Sequence, residues 1–240
     1  MCLKIGKSGS TCKHLAQPLS VCLLIAVLPL LFAIHTFIKT AFVCIGTIGS
    51  ILILLQLFGA SRSALTIAER LADRAKVEQG DSILDLGTGP GTVAITFAKR
   101  AKEGRVYGVD LCGEESYSTK ERAEENVRLE KVEDRCEFIV ADCTKKLDFE
   151  AEYFDLTAGS QVFHELQFHG LQGDYDKVFK EIDRLLKQNG EIIFFEPNKL
   201  KSWEISKAKD FFDNLGYKTQ IIPIKSFPRW STFVGRKEFQ

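Results

Sequence analysis

The long uncharged run near the N-terminus constrains the fold more than any other feature. Between residues 19 and 60 the only charged side chain is Lys39. Residues 19–38 and 41–60 each provide the roughly 20 apolar residues that cross a hydrocarbon core of about 30 Å. As one helix the run would be roughly 60 Å long, twice what one crossing requires. We therefore expect a transmembrane helical hairpin that turns near residues 35–40.

Basic residues on both sides of this run set its expected orientation. They are Lys4, Lys7 and Lys13 before it, and Arg62, Arg70, Arg74 and Lys76 after it. In a hairpin, the positive-inside rule places both ends on the cytoplasmic side of the membrane. The chain then divides into a cytoplasmic tail (residues 1–18), a membrane segment (19–60) and a folded domain (61–240).

The apolar run has three alternative interpretations besides the hairpin. A shallower re-entrant segment kinked at Pro29 is compatible with the composition. A cleaved signal peptide is disfavoured because the polar start is long and no small-residue cleavage site follows a short apolar core. A buried helix pair is disfavoured because the rest of the chain is too small to cover about 40 apolar residues.

The charge and cysteine content exclude two classes of function. No Asp or Glu precedes Glu69, so the remaining chain carries 27 of the 32 basic residues and all 32 acidic ones. A mildly acidic domain lacks the basic surface that nucleic acid binding requires, and we expect no nucleic-acid partner. The seven cysteines form no CxxC pair and accompany no histidine cluster. This pattern predicts reduced thiols and no metal site.

Strand and helix patterns alternate beyond the membrane segment. An amphipathic helix at 64–77 precedes strands at 82–86, 105–110, 136–141, 153–158 and 191–196, helices at 92–101, 118–130, 175–187 and 202–214, and paired final strands at 217–224 and 229–236. Short apolar strands that alternate with helices predict an α/β fold with a mostly parallel sheet covered on both faces.

A glycine-rich turn follows the first strand, in the sequence Asp85-Leu86-Gly87-Thr88-Gly89-Pro90-Gly91. Glycines let the backbone approach a ligand closely, and ligands of open α/β sheets bind at the carboxyl ends of the strands. The dinucleotide fingerprint G-x-G-x-x-G requires glycine where Thr92 stands. Asp85 would also repel a pyrophosphate, whereas it suits a ligand that carries an ammonium group.

Two more acids follow the next two strands. Asp110 ends the second strand, where a carboxylate can hold two ribose hydroxyls. Asp142 follows the third strand and precedes Cys143, so a side-chain acceptor lies beside a backbone N–H that can bind an adenine edge. Groups for an amine, a ribose and an adenine, in strand order, describe S-adenosylmethionine.

On these residues the stretch from about 64 to 236 resembles the class I S-adenosylmethionine-dependent methyltransferases, a group that includes quinone and other small-molecule methylating enzymes. Residues 154–160 and 181–190 resemble the family's fourth-strand motif and the helix and turn before strand five, whereas the loop 112–117 is longer than usual. The resemblance implies a Rossmann-like seven-stranded, mostly parallel sheet with one antiparallel strand and helices on both faces. It also implies S-adenosylmethionine as cofactor. The implied cofactor-binding residues are Asp85, Gly87, Thr88, Gly89, Gly91, Asp110, Leu111, Asp142, Cys143 and Ser160.

The segment after the fourth strand is expected to face the methyl acceptor. His164 is the candidate general base because an imidazole titrates near neutral pH, and the alternative is a histidine at a helix start that bonds a neighbouring backbone group. A zinc-binding helix would need histidine where Phe168 stands, and His169 is one position late. Thiol chemistry at Cys112 or Cys143 lacks a recognisable activating neighbour.

These features predict a membrane-anchored methyltransferase whose partners are the lipid bilayer and a lipophilic or membrane-associated methyl acceptor. Aromatic residues near the C-terminus would form core and, in part, an apolar substrate mouth. A non-catalytic membrane module with the same fold and a nicotinamide-dependent oxidoreductase are the two alternatives. Retention of Asp85, Asp110 and Asp142 disfavours the first, and Thr92 together with Asp85 disfavours the second.

Overall fold

The computed structural model describes residues 11–111, 120–167, 175–225 and 227–238, with side chains described from residue 27 onward except for 55–62, 167, 227 and 228. The chain divides into two compact units, Met1–Ala60 and Ser61–Gln240. The lysines at positions 4 and 7, the start of the predicted helix at 118–119, and the loop 112–117 lie outside the described residues.

The first unit contains most of helix α1, which runs from Thr11 to Arg74. The predicted turn at residues 35–40 is wrong, because α1 continues through it and through Pro29 without ending. The segment 35–40 contains neither glycine nor proline. The hydroxyls of Thr36 and Thr40 each donate to the carbonyl oxygen four residues earlier at 2.8 Å, so their polar groups are satisfied within the helix.

Within α1, the 28 residues of Val27–Leu54 have a mean hydropathy of 2.1 and nearly all are exposed. This helix has the length and composition of a membrane crossing, two criteria that a signal sequence near the N-terminus also meets. One helix that crosses a membrane places its two ends on opposite sides. The orientation inferred from a hairpin therefore no longer applies to both ends.

The second unit is built on a seven-stranded sheet. Its strands are β1 (Ser82–Leu86), β2 (Arg105–Asp110), β3 (Cys136–Val140), β4 (Phe154–Ser160), β5 (Leu186–Pro197), β8 (Lys218–Ile224) and β9 (Phe227–Arg236), in the order β3-β2-β1-β4-β5-β9-β8. Strands β1 to β5 pair in parallel, and β9 is antiparallel to both β5 and β8. This confirms the expected seven-stranded, mostly parallel sheet with one antiparallel strand. Strands β6 (Lys199–Leu200) and β7 (Trp203–Glu204) form a separate two-stranded ribbon.

Helices cover both faces of the sheet. They are α2 (Thr92–Ala101), α3 (Lys120–Leu129), α4 (Tyr175–Leu185) and α5 (Ile205–Asn214), and a 3₁₀ helix spans Phe163–Gln167. The last turns of α1 pack with α2 and α3 in one apolar cluster, to which Leu71 and Phe97 contribute. Helices α4 and α5 pack in the second cluster, to which Phe179 and Phe212 contribute. Burying both faces in this way explains why the strands are short, nearly continuous apolar runs.

The strand order places the ligand-binding edge of the sheet. β1 lies between β2 and β4. On one side of β1 the chain adds β2 and then β3, and on the other side it adds β4 and then β5, so the order in which strands are added changes direction at β1. The carboxyl ends of strands diverge at such a switch point and leave a crevice between their loops. The glycine-rich turn after β1, the acid at the end of β2 and the segment after β4 all lie at this edge.

Candidate cofactor site

The glycine-rich turn has a backbone that only glycine adopts without strain. Gly87, Gly89 and Gly91 have φ values of 62°, 51° and 83°, in the left-handed region that a Cβ atom disfavours. A Cβ on Gly87 would lie 2.6 Å from Cγ2 of Val162, and one on Gly91 would lie 3.1 Å from Cζ of Phe138. The turn, which we call the cradle, therefore packs closely against Val162 and Phe138.

Asp85 holds the base of this cradle. Its Oδ2 accepts hydrogen bonds from Oγ1 of Thr88 at 2.7 Å and from the backbone N–H of Ala94, in the first turn of α2, at 3.0 Å. Its Oδ1 is buried and has no hydrogen-bond partner within the described part of the chain. Burial raises the pKa of Asp85 to about 7 in spite of the two hydrogen bonds. A buried oxygen left without a donor fits a ligand that brings a cationic or hydrogen-bond-donating group.

The end of β2 fixes the other side of the cradle. Oδ2 of Asp110 accepts the backbone N–H of Gly89 at 2.8 Å, and the carbonyl oxygen of Val109 accepts the N–H groups of Gly87 at 2.8 Å and Thr88 at 3.2 Å. Asp110 is thus brought to the glycine-rich turn, as the sequence predicts. Leu111, the next residue, is exposed and is the last residue before an undescribed segment.

Asp142 lies at the neighbouring strand end. The backbone N–H of Ala141 donates to the carbonyl oxygen of Asp110 at 3.0 Å, which places the ends of β2 and β3 side by side. Oδ1 of Asp142 accepts the N–H and hydroxyl of Thr144, and Oδ2 lies 3.3 Å from Nζ of Lys145. Burial acts to raise the pKa of Asp142, but these hydrogen bonds and the lysine charge outweigh it and lower the pKa. Asp142 is therefore an ionised acceptor in a tight local turn.

The last two predicted cofactor residues are Cys143 and Ser160. Cys143 is partly buried, and burial raises the pKa of its thiol to about 12. Its thiol is protonated at neutral pH, which argues against thiolate chemistry at this position. Ser160 is the last residue of β4, and the following residue, Gln161, has a φ of 64°. The other cysteine considered for such chemistry, Cys112, lies outside the described residues.

His164 lies in the 3₁₀ helix after β4 and is buried. Among the described residues its ring nitrogens contact two carboxylates: Nδ1 is 2.7 Å from Oε2 of Glu196, and Nε2 is 3.1 Å from Oε1 of Glu165. Burial lowers the pKa of His164, but the two carboxylates together raise it above the ordinary value. The edge of the ring packs against Trp230, with centroids 5.6 Å apart.

Glu196 is the site residue that sequence reasoning missed. It lies near the end of β5 and is fully buried. Its partner His164 is 32 positions earlier, so no local spacing connects the two. The sequence signal that could have found it is a single carboxylate directly after the apolar residues 192–195. A carboxylate in such a run is expected to be buried, and a buried charge requires polar partners from elsewhere in the fold.

No group of three or more metal-binding side chains occurs among the described residues. His169, which the rejected zinc pattern included, lies in an undescribed segment.

Comparison with known proteins identifies the domain. Residues 84–194 match a family model described as a methyltransferase domain. An uncharacterized methyltransferase of Schizosaccharomyces pombe is 33% identical over 128 residues, which are 52% of this chain and 43% of that protein. A sterol 4-C-methyltransferase of Caenorhabditis elegans is 28% identical over 134 residues, which are 56% of this chain and 36% of that protein. The chain thus spans less than half the length of these relatives.

Solved structures show the same fold. A SAM-dependent methyltransferase from Aquifex aeolicus superposes with a TM-score of 0.56 at 18% identity and covers 73% of this chain and 91% of its own. Phosphoethanolamine N-methyltransferase 2 of Haemonchus contortus, solved in complex with S-adenosyl-L-methionine, has a TM-score of 0.56 at 18% identity and covers 74% of this chain and 53% of its own. The match to the methyltransferase family model supports S-adenosylmethionine as the cofactor, and the solved structures show the shared fold.

Proposed function

We propose that this chain, which carries a class I S-adenosylmethionine-dependent methyltransferase domain, is a membrane-anchored methyltransferase that acts on a lipophilic small molecule or a membrane-associated substrate. The observation that carries the proposal is the cradle at the switch point, with three left-handed glycines and a buried oxygen of Asp85 that has no partner among the described residues. S-adenosylmethionine supplies a methyl group activated by a sulfonium. The protein has mainly to hold donor and acceptor in line.

The three acids would divide the cofactor between them. Asp85 would face the ammonium group, since its Oδ1 has no donor among the described residues. Asp110 would hold the ribose hydroxyls from the end of β2, and Asp142 with Cys143 would contact the adenine from the end of β3. The backbone of the glycine-rich turn, Leu111 and Ser160 would line the remaining contacts. His164 is the candidate proton acceptor on the substrate side.

Helix α1 supports attachment to a membrane. Its hydroxyl groups in Val27–Leu54 bond to the preceding turn of the same helix, as at Thr47 and Ser50, so that none of these needs water. Four basic residues follow the span on the domain side and three precede it, which favours the domain on the cytoplasmic face of a single-span protein. Attachment would raise the local concentration of a membrane substrate. The sterol methyltransferase among the relatives is in keeping with a lipophilic acceptor.

Calorimetry on the full-length chain in detergent, with S-adenosylmethionine and S-adenosylhomocysteine, tests the cofactor. Asp110→Asn removes the charge, while the asparagine carbonyl can still accept the Gly89 N–H. We expect it to weaken binding about tenfold or more, because a hydrogen bond to a charged group contributes about 1.5–3 kcal/mol. The matched control is Asp134→Asn, whose side chain is 78% exposed in the turn after α3. The proposal is wrong if the folded wild-type chain binds neither compound.

Methyl transfer itself is tested with membrane extracts and S-adenosylmethionine that carries a labelled methyl group. Label that enters the organic phase of a lipid extraction identifies a lipophilic small molecule, and label that stays with protein identifies a membrane protein as the acceptor. Cofactor binding without transfer to either fraction would favour the non-catalytic module.

A further inference from the structure

Glu196 is a buried carboxylate with an unusually complete set of partners. Oε1 accepts the backbone N–H groups of Val162 at 2.6 Å and Phe163 at 2.9 Å. Oε2 faces the backbone N–H of His164 at 3.4 Å and Nδ1 of its ring at 2.7 Å. A charge taken out of water is tolerated when such partners replace the solvent. All of these partners belong to the segment directly after β4.

This segment also contacts the cofactor cradle. The turn begins at Gln161, a non-glycine residue with a φ of 64°, whose N–H donates to the carbonyl oxygen of Phe195 at 2.9 Å. A residue in the left-handed region persists only where its surroundings hold it there. The next side chain, Val162, packs directly over Gly87. Glu196 therefore holds in place the side chain that closes one wall of the cradle.

The same carboxylate orients the imidazole of His164. Among the described residues, the ring contacts Glu196 from β5, Glu165 from the same 3₁₀ helix, and the uncharged Trp230 from β9. Nδ1 faces the fully buried Glu196, whereas Nε2 faces Glu165, whose side chain is 51% exposed. Glu165 is consequently the partner that a ligand could displace, and Nε2 is the ring nitrogen that this would free.

We propose that Glu196 is a positioning residue for methyl transfer. It fixes the turn after β4 against the glycine cradle, and it orients the ring of His164 through Nδ1. The methyl acceptor then replaces Glu165 as the partner of Nε2. This inference rests on the proposed function and defines the acceptor as a molecule whose nucleophilic atom carries a proton that it loses on methylation. Nε2 of the neutral ring takes that proton as the nucleophile bonds to the methyl carbon, and the sulfur keeps the electron pair of the broken bond. The resulting imidazolium is stabilised by Glu196.

The test is ¹⁵N-histidine NMR of the full-length chain in detergent, recorded as a function of pH, with S-adenosylmethionine calorimetry on the same samples. The His164 signals are assigned by their loss in His164→Asn. In the wild type we expect Nδ1 to remain protonated while Nε2 loses its proton as the pH rises. Glu196→Gln should lower the midpoint of this titration by about 1 pH unit or more. It should also weaken cofactor binding about tenfold or more, since it weakens the hydrogen bonds to a charged acceptor that hold Val162 over Gly87.

Glu165→Gln is the matched control. It removes the carboxylate at Nε2 but none of the contacts that hold the turn, so the midpoint should fall while cofactor affinity stays unchanged. The proposal is overturned if Nδ1 is the nitrogen that titrates in the wild type, a result that requires no variant to fold. It is also overturned if Glu196→Gln leaves both midpoint and affinity as in the wild type. A wild-type chain that binds no cofactor would refute the proposed function, and the ring spectra would still report on the Glu196–His164 pair.

Discussion

Replacing Asp85 by asparagine tests whether the cradle keeps a buried charge at the expense of stability. The pKa of Asp85 is raised from 3.8 to about 7 by burial. The native state then binds its proton up to a higher pH than the unfolded chain does, so the free energy of unfolding falls as the pH rises from about 4 to 7. Asparagine has no such dependence, and its carbonyl can accept the same hydrogen bonds from Thr88 and Ala94.

The expected magnitude follows from the titration range. Between pH 5 and pH 8 the free energy of unfolding of the wild type falls by about 2–3 kcal/mol relative to that of Asp85→Asn. The reason is that about two pH units of this range lie below the raised pKa, and each contributes about 1.36 kcal/mol. Comparing the two pH values cancels any constant effect of burying an amide. For a domain of this size the difference corresponds to about 4–12 °C in the melting temperature. Cofactor affinity should fall at the same time, since the charge facing the ammonium group is lost.

The assay is thermal unfolding of the full-length chain in one detergent at pH 5 and pH 8. Asp134→Asn again serves as the control, because it removes one acid whose side chain is 78% exposed and lies outside the cradle. If Asp85→Asn changes the melting temperature equally at pH 5 and pH 8, the raised pKa and the reasoning built on it are refuted.

Three further predictions concern the cradle, the membrane segment and the sheet. Gly87→Ala should abolish cofactor binding in calorimetry, because its Cβ would meet Val162 at 2.6 Å. Affinity retained in Gly87→Ala would contradict this packing. Adding Val162→Ala should remove the steric contact but not the strain of the left-handed φ, so it should restore affinity only in part. Phe42→Arg near the middle of α1 costs about 2.5–3.5 kcal/mol in a bilayer, so less of this variant than of Phe42→Leu should float with liposomes; equal flotation would argue against a span. Asp155→Asn weakens the contact to Lys187 at 2.8 Å and the hydrogen bond from the backbone N–H of Ser82. The free energy of unfolding measured with denaturant should fall by about 1 kcal/mol, because the side chains of Asp155 and Lys187 are partly exposed. A fall above about 3 kcal/mol would mean that the pair is effectively buried.

Local signals in the sequence were enough to place the first half of the folded domain. The bounds of β1, α2 and β2 agree with those predicted, because a short apolar run followed by glycines and then by a helical pattern permits few other structures. β5 begins at Leu186, five residues before the predicted start, since its first residues pair with β4 across a bulge. Pairing of this kind depends on the partner strand and not on the local sequence.

The membrane segment shows what hydropathy does not determine. The composition of residues 19–60 predicted an apolar helical segment, which the structure has, and also a hairpin, which it does not have. The prediction inferred two crossings from the total length of the apolar run. A turn between two helices also requires residues that end a helix, and the segment 35–40 has none of them. The threonines at 36 and 40 are compatible with a helix because their hydroxyls bond back to it.

Asp85 and Glu196, the two buried acids at this edge of the sheet, differ in their hydrogen-bond partners, and this difference indicates different roles. Asp85 and Glu196 end the strands on either side of β4, and both carboxylates are removed from solvent. Every oxygen of Glu196 has a partner within the protein, so this residue has no capacity left for a ligand and serves to hold its neighbours. One oxygen of Asp85 has none among the described residues, so its burial is compensated either by a proton, as the raised pKa of this acid indicates, or by a donor that another molecule supplies. The sequence places both acids at strand ends, but only the hydrogen-bond pattern separates the acid that we propose to bind the cofactor from the acid that we propose to position the turn after β4.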